Sequence, residues 1–346
     1  MKRLLFWIMT AIMIQTSLSA QDKDSSQVYV CPPCGNSCDS KTFAQPGICP
    51  QCNMTLVKKN QAKRIAFYLQ DGVEVLDFAG PMEVFSYAGY EVFTVSKTKD
   101  PITSQGILKV IPDYSITDAP SADILAFFGG NGLRASQDSA VIDWIQNQKE
   151  VNYHFSVCTG AFLLAEAGVL DGLTATTFHD ALNTLEENYP RIEVLRDARF
   201  VDNGKVITTA GISAGIDGAL HLVAKFQGLN AARRTAFYME YDNWVPGDGL
   251  VLSGDSPYLF TVAGPDLGDY VGTYSHSSGV PFELVLNSND RTLYAKMQGV
   301  NYPVFHEQGE TFSDASGDLV FFERDGKGSV TGYRVKSDGE LFAKLK

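Results

Sequence analysis

Six cysteines fall into two chemically different groups. Cys158 stands alone in the run Phe155-Ser-Val-Cys158-Thr159-Gly160-Ala161. Apolar β-type residues lead into it and a helical stretch follows at once. A strand that turns sharply into a helix exposes its central side chain, as in a nucleophile elbow. The helix N-terminus then favours a thiolate, and the N–H groups of the turn can hold a developing negative charge. This predicts an exposed, activated nucleophile at Cys158. Gly160 permits the close turn. Gly129 and Gly130, at the end of another apolar run, offer further backbone donors with no side chain in the way.

The other five cysteines read Cys31-Pro-Pro-Cys34, Cys38 and Cys49-Pro-Gln-Cys52. Two Cys-x-x-Cys knuckles joined by a short loop suit a tetrahedral thiophilic metal such as zinc. Cys31, Cys34, Cys49 and Cys52 form the expected ligand set, with Cys38 as a fifth candidate; spacing does not choose between Cys34 and Cys38. Disulfides are the competing state for exported cysteines, but five cannot all pair. Four thiolates leave no open position for substrate, so the expected role is structural or metal-sensing. The tail Cys49-Pro-Gln-Cys52-Asn-Met-Thr-Leu-Val57 also resembles the heavy-metal-binding domain of bacterial metal-efflux proteins.

The elements that position Cys158 begin at Arg64. Apolar runs at 65–69, 91–96, 124–128, 153–157 and 206–210 read as strands. They alternate with helical stretches at 82–87, 139–148, 161–167 and 216–226, the first introduced by Gly80-Pro81. Such alternation predicts an α/β domain, a mostly parallel, flavodoxin-like sheet flanked by helices, with ligands beyond the carboxyl ends of the strands. From Leu267 the pattern is all-β. Seven short strands at 270–275, 282–286, 292–297, 300–305, 319–323, 330–335 and 341–345 predict a meander closing into a small barrel.

Four motifs in order resemble the ThiJ/PfpI family of the class I glutamine-amidotransferase-like superfamily. They are Leu76-Asp77-Phe-Ala-Gly80-Pro81-Met-Glu-Val-Phe85, Val157-Cys-Thr-Gly-Ala161, Gly168-Val-Leu-Asp-Gly-Leu-Thr-Ala-Thr-Thr177 and Gly211-Ile-Ser-Ala-Gly-Ile-Asp217. The isonitrile hydratase subgroup is the nearest in pattern. The amidotransferase-like domains of AraC-type regulators share it, but no helix-turn-helix segment follows here. By this resemblance Cys158 attacks the terminal carbon of an isonitrile and forms a thioimidate. Asp77 exchanges protons, and Thr159 contributes its N–H. Without the resemblance, Asp77 and Thr159 read as helix or turn caps. Protease-like relatives carry histidine directly after the cysteine, so Thr159 removes that partner. His179 is a pocket candidate, one place later than the common pattern, whereas His154 and His221 read as structural. Glyoxalase- or deglycase-like chemistry and a metal- or redox-responsive binding protein are the alternative functions. Gly268-Asp-Tyr-Val-Gly-Thr-Tyr274 resembles the start of a lipocalin-like barrel appended to β-lactamase-like proteins, which implies an interaction unit, an active-site cover or a stabilising appendage.

Composition bounds the rest. Hydrophobic residues make up 45% and charged residues 20%, which is globular composition. A formal charge of −12 repels phosphate backbones and excludes nucleic acid as an expected partner. Lys2 and Arg3, the apolar run to Ile14 and the small residues up to Ala20 have the layout of a secretory leader. The expected organisation is therefore a leader at 1–20, a metal module at 28–58, the α/β domain at 64–257 and the β domain at 264–346. The expected protein is exported, periplasmic or secreted, without a stable membrane anchor. It takes a small-molecule substrate, needs no cofactor for catalysis, and forms a homodimer or higher oligomer by family analogy.

Overall fold

The computed structural model describes residues 28–31, 37–38, 40–44, 49–52, 56–58, 63–148, 150–258, 265–276, 279–287, 292–336 and 339–345. The expected leader and Cys34 lie outside the described residues.

The central domain is built on an eight-stranded sheet. Its spatial order is Leu250–Val251, Phe200–Asp202, Val206–Thr209, Tyr153–Val157, Ile124–Phe127, Arg64–Tyr68, Glu91–Ser96 and Tyr114–Ser115. All neighbours run parallel except Phe200–Asp202 against Val206–Thr209. Strand residues point alternately to opposite faces, so one strand feeds two cores. Ile65, Phe67 and Leu69 join helices Val75–Tyr87, Ala214–Gln227 and Leu229–Tyr238 on one face. Ala66 and Tyr68 join helices Ser139–Asn147 and Ala161–Glu166 on the other. The α/β expectation is met.

One boundary differs from expectation. Gly80-Pro81 does not introduce a helix; it lies inside helix Val75–Tyr87, which starts at Val75. The reason is packing against helix Ala214–Gln227. A Cβ on Gly80 would stand 2.7 Å from Ile216, and a Cβ on Gly215 would stand 3.3 Å from the Pro81 ring. The two helices cross where side chains are smallest, and this contact holds a helix that Pro81 alone would break.

The C-terminal strands close into an eight-stranded antiparallel barrel, with Tyr274 in the first strand paired to Lys344 in the last. The sequence predicts seven of them. The eighth, Thr311–Ser313, is only three residues long and follows a register shift at His306 and Gln308. Too short to show a period, it is invisible to pattern reading.

The N-terminal module is a small three-stranded sheet, with Tyr29–Val30 between Thr42–Phe43 and Val57–Lys58. The three units touch. The Tyr29 hydroxyl donates to Asp318 of the barrel at 2.7 Å. Helix Leu229–Tyr238 reaches the barrel through Asn230, which donates to the His306 carbonyl at 2.8 Å, and through the Tyr238 hydroxyl, which donates to the Ala315 carbonyl at 3.0 Å.

Candidate active site and cysteine cluster

Cys158 follows strand Tyr153–Val157 and opens a 3-10 turn that runs into helix Ala161–Glu166. Its φ is +59°, a left-handed conformation that a non-glycine residue adopts only where its surroundings fix it. Those surroundings are specific. The Cys158 N–H donates to the Ala210 carbonyl at 3.1 Å, and the Thr177 hydroxyl donates to the Cys158 carbonyl at 2.6 Å. Gly160 is required: a Cβ there would stand 2.3 Å from the Phe127 carbonyl oxygen.

The sulfur does not face a helix terminus alone; it faces a carboxylate. Asp77 sits in the first turn of helix Val75–Tyr87 and is fully buried. It is not a cap. One carboxylate oxygen accepts the Gly129 N–H at 2.8 Å and the other accepts the Ile212 N–H at 2.9 Å. The Cys158 thiol stands beside it, since a Cβ built on Gly129 would meet both Cys158 Sγ and Asp77 Oδ2. Ile212 donates from a left-handed backbone, φ +57°, so two strained residues converge on one acid. Burial pushes the Asp77 carboxyl up to about 6, although the Gly129 and Ile212 N–H groups pull the other way. It is ionised at neutral pH.

The expectation of an exposed, acidic thiol is corrected by this geometry. Cys158 is 5% exposed. Burial, followed by the Asp77 charge, pushes its thiol up to about 12; the N–H groups of Thr159 and Gly130 that point at the sulfur offset only part of this. The resting pair is thus a neutral thiol beside a carboxylate. Turn geometry argued for a thiolate; desolvation and a like charge outweigh it.

The glycine pair divides its work. The Gly129 N–H is engaged by Asp77, which leaves the Gly130 N–H as the donor facing the sulfur. A Cβ on Gly129 would stand 2.6 Å from Cys158 Sγ and 2.7 Å from the Asp77 carboxylate. The Gln70 amide donates to the Phe128 and Gly129 carbonyls and fixes the loop. The Thr159 hydroxyl is buried beside Gly132 and has no hydrogen-bond partner among the described residues.

Phe178, which the sequence did not single out as a site residue, covers the sulfur. A Cβ on Gly211 would meet the Phe178 ring at 2.5 Å and Cys158 Sγ at 3.3 Å, so ring and sulfur are neighbours across that glycine. His179 lies at the surface next to Phe178. Its side chain is 73% exposed, packs its ring outside Phe178, and pairs with Asp180 at 3.1 Å. His221 is buried between Tyr258 and Asp202, at 2.8 and 2.7 Å, which is a structural bracket. His154 lies in the strand before Cys158 and is held neutral by burial, down to about 4.

In the N-terminal module the ligand atoms of Cys31, Cys38, Cys49 and Cys52 all lie within 4.8 Å of one another, and none is in a disulfide. Cys38 therefore stands in the cluster. The backbone N–H groups of Gln51 and Cys52 point at the Cys49 sulfur, as a metal knuckle requires. Sulfurs about 2.3 Å from a central ion sit about 3.8 Å apart in a tetrahedron, so four buried or half-buried thiols at this spacing fit one thiophilic ion.

Comparison with known proteins follows the same division. Residues 63–225 match the DJ-1/PfpI family and residues 28–59 match the heavy metal binding domain. Isonitrile hydratase of Pseudomonas putida is 35% identical over 193 residues, covering 54% of this chain and 82% of that protein. The chain belongs to the DJ-1/PfpI family. The family also includes regulators: HTH-type transcriptional regulator GbdR of Pseudomonas aeruginosa is 27% identical over 209 residues, 58% of this chain and 54% of that protein. Among solved structures, a ThiJ/PfpI family protein from Pseudomonas syringae is 29% identical, with a TM-score of 0.47, covering 53% of this chain and 77% of that one. Heavy-metal-module membership and the cysteine cluster together support metal binding by the N-terminal unit.

Proposed function

We propose that the α/β domain of this DJ-1/PfpI protein is a cysteine-dependent enzyme that adds water to an isonitrile. The observation that carries the reading is the Cys158 thiol held on the buried Asp77 carboxylate beside the Gly130 and Thr159 N–H groups. Similarity to an isonitrile hydratase supplies the substrate class. Asp77 takes the thiol proton as the sulfur bonds to the terminal carbon of R–N≡C, then delivers that proton to the same carbon. The product is Cys158–S–CH=N–R. No leaving group is needed, so a neutral thiol with its proton close at hand is a fitting reagent. Water then adds to the thioimidate carbon, the C–S bond breaks, the sulfur regains a proton, and the formamide R–NH–CHO departs. The Gly130 and Thr159 N–H groups stabilise charge on sulfur or on the tetrahedral oxygen.

The alternatives draw less support. Glyoxalase-type chemistry calls for a histidine proton shuttle, and His179 faces solvent. Oxidation sensing calls for an accessible thiolate, and Cys158 is buried and protonated. The reading is tested by rapid quench of the full chain with a small isonitrile and mass analysis of the Cys158 peptide. The expected adduct carries the mass of the intact isonitrile. Formamide production without any adduct on Cys158 would reject the covalent route. Zinc is proposed as the ion of the Cys31, Cys38, Cys49 and Cys52 cluster. Export, with removal of residues 1–20, is proposed from the leader; the N-terminal sequence of the mature protein checks it.

A further inference from the structure

The barrel is only partly filled. Tyr270, Phe312 and Phe322 pack ring against ring, with centroids 4.6 to 5.0 Å apart. The rest of the interior is a cavity of about 430 Å³ lined by Phe282, Leu284, Ala295, Met297, Val304 and Phe342. That volume lies within the range of small-molecule sites, roughly 300–1,000 Å³, and an apolar wall with few polar groups is their usual make-up.

Among the described residues the wall has one carboxylate, Asp314. One of its oxygens accepts the Ser316 and Asp318 N–H groups, both at 2.9 Å. Its other oxygen has no hydrogen bond among the described residues. A carboxylate with a spare oxygen against an apolar cavity is unfavourable unless a donor arrives. The turn that carries it is held from outside the barrel. Tyr29 of the cysteine module bonds Asp318, Arg234 donates to Ser313 at 3.1 Å, and Tyr238 bonds the Ala315 carbonyl while also lining the cavity. The turn beside the cavity is thus braced by both other units, and Tyr238 of the α/β domain also lines the cavity.

We infer that this cavity binds a small, largely apolar molecule through an N–H or O–H donor placed on Asp314. Glu307 and Asp318 lie close enough to add negative field, partly offset by Arg234, so anionic ligands are disfavoured. The inference is independent of the chemistry at Cys158.

The test uses the full chain and two fluorescent probes of similar size. N-phenyl-1-naphthylamine carries one N–H; 1-phenylnaphthalene carries none. Saturable binding of both is expected, with the amine the tighter. Ala295→Phe fills the cavity and should weaken both at least about tenfold, and Met297→Phe serves if that variant does not fold. Asp314→Asn should weaken the amine about tenfold and leave the hydrocarbon unchanged. Cys158→Ser should bind both as the wild type does. The inference fails if neither probe saturates, if the filled variants bind normally, if Asp314→Asn affects both probes alike, or if Cys158→Ser abolishes binding.

Discussion

Replacing Asp77 by asparagine should make Cys158 more reactive towards alkylation and less able to turn over substrate. With the thiol at about 12, only about one molecule in ten thousand carries a thiolate at pH 8. The adjacent Asp77 charge is one cause. A unit charge about 4 Å away contributes about 4 kcal/mol at an effective dielectric of about 20. Removing between half and all of that raises the thiolate population about 30- to 1,000-fold. A less basic thiolate is also a poorer nucleophile, with a coefficient of about 0.4–0.5, so the net gain in iodoacetamide rate is about 5- to 60-fold. Asparagine is nearly isosteric and leaves the Phe178 cover in place, so access is unchanged. Hydration should fall about 10²- to 10⁴-fold, because the proton acceptor is gone. Alkylation followed by mass spectrometry at Cys158, run beside a formamide assay, reads both effects. A variant that alkylates more slowly than wild type, or that keeps full turnover, would refute the pairing of thiol and carboxylate.

Three further outcomes are expected. The kcat/KM for hydration should rise with pH and level off above about 6, because Asp77 must be ionised to accept the thiol proton and is protonated below that point; this inflection should vanish in Asp77→Asn. Phe178→Ala should uncover Cys158, so that a bulky maleimide gains more in rate than iodoacetamide does, at a stability cost of up to about 3 kcal/mol measured by urea denaturation; equal gains for the two reagents would deny Phe178 a covering role. Cys38→Ser should drop bound zinc well below one ion per chain by elemental analysis and lower the melting temperature of the zinc-loaded protein; full zinc retention would remove Cys38 from the ligand set.

Local pattern carried much of this far. The alternation of apolar runs with helical stretches foretold the layered sheet, and Phe155 to Ala161 foretold the strand-to-helix turn at Cys158. The features that failed were set by contacts distant in sequence. Helix Val75–Tyr87 runs through Pro81 where Gly80 and Gly215 let another helix approach. The thiol was expected to be acidic from its own turn, yet burial and the charge of Asp77, far upstream, decide its protonation. Ile212 was visible within a motif, but its role as a donor to Asp77 depends on a left-handed backbone that no residue type announces. Cys38 likewise differs from Cys34 by nothing in spacing; only the fold brings its sulfur to Cys31, Cys49 and Cys52.

The most direct test of the central claim is formamide production from a panel of small isonitriles by the full chain, with Cys158→Ala in parallel. The account predicts N-substituted formamide from the wild type and none above background from the variant. Equal production by both proteins, or none by either, would contradict it.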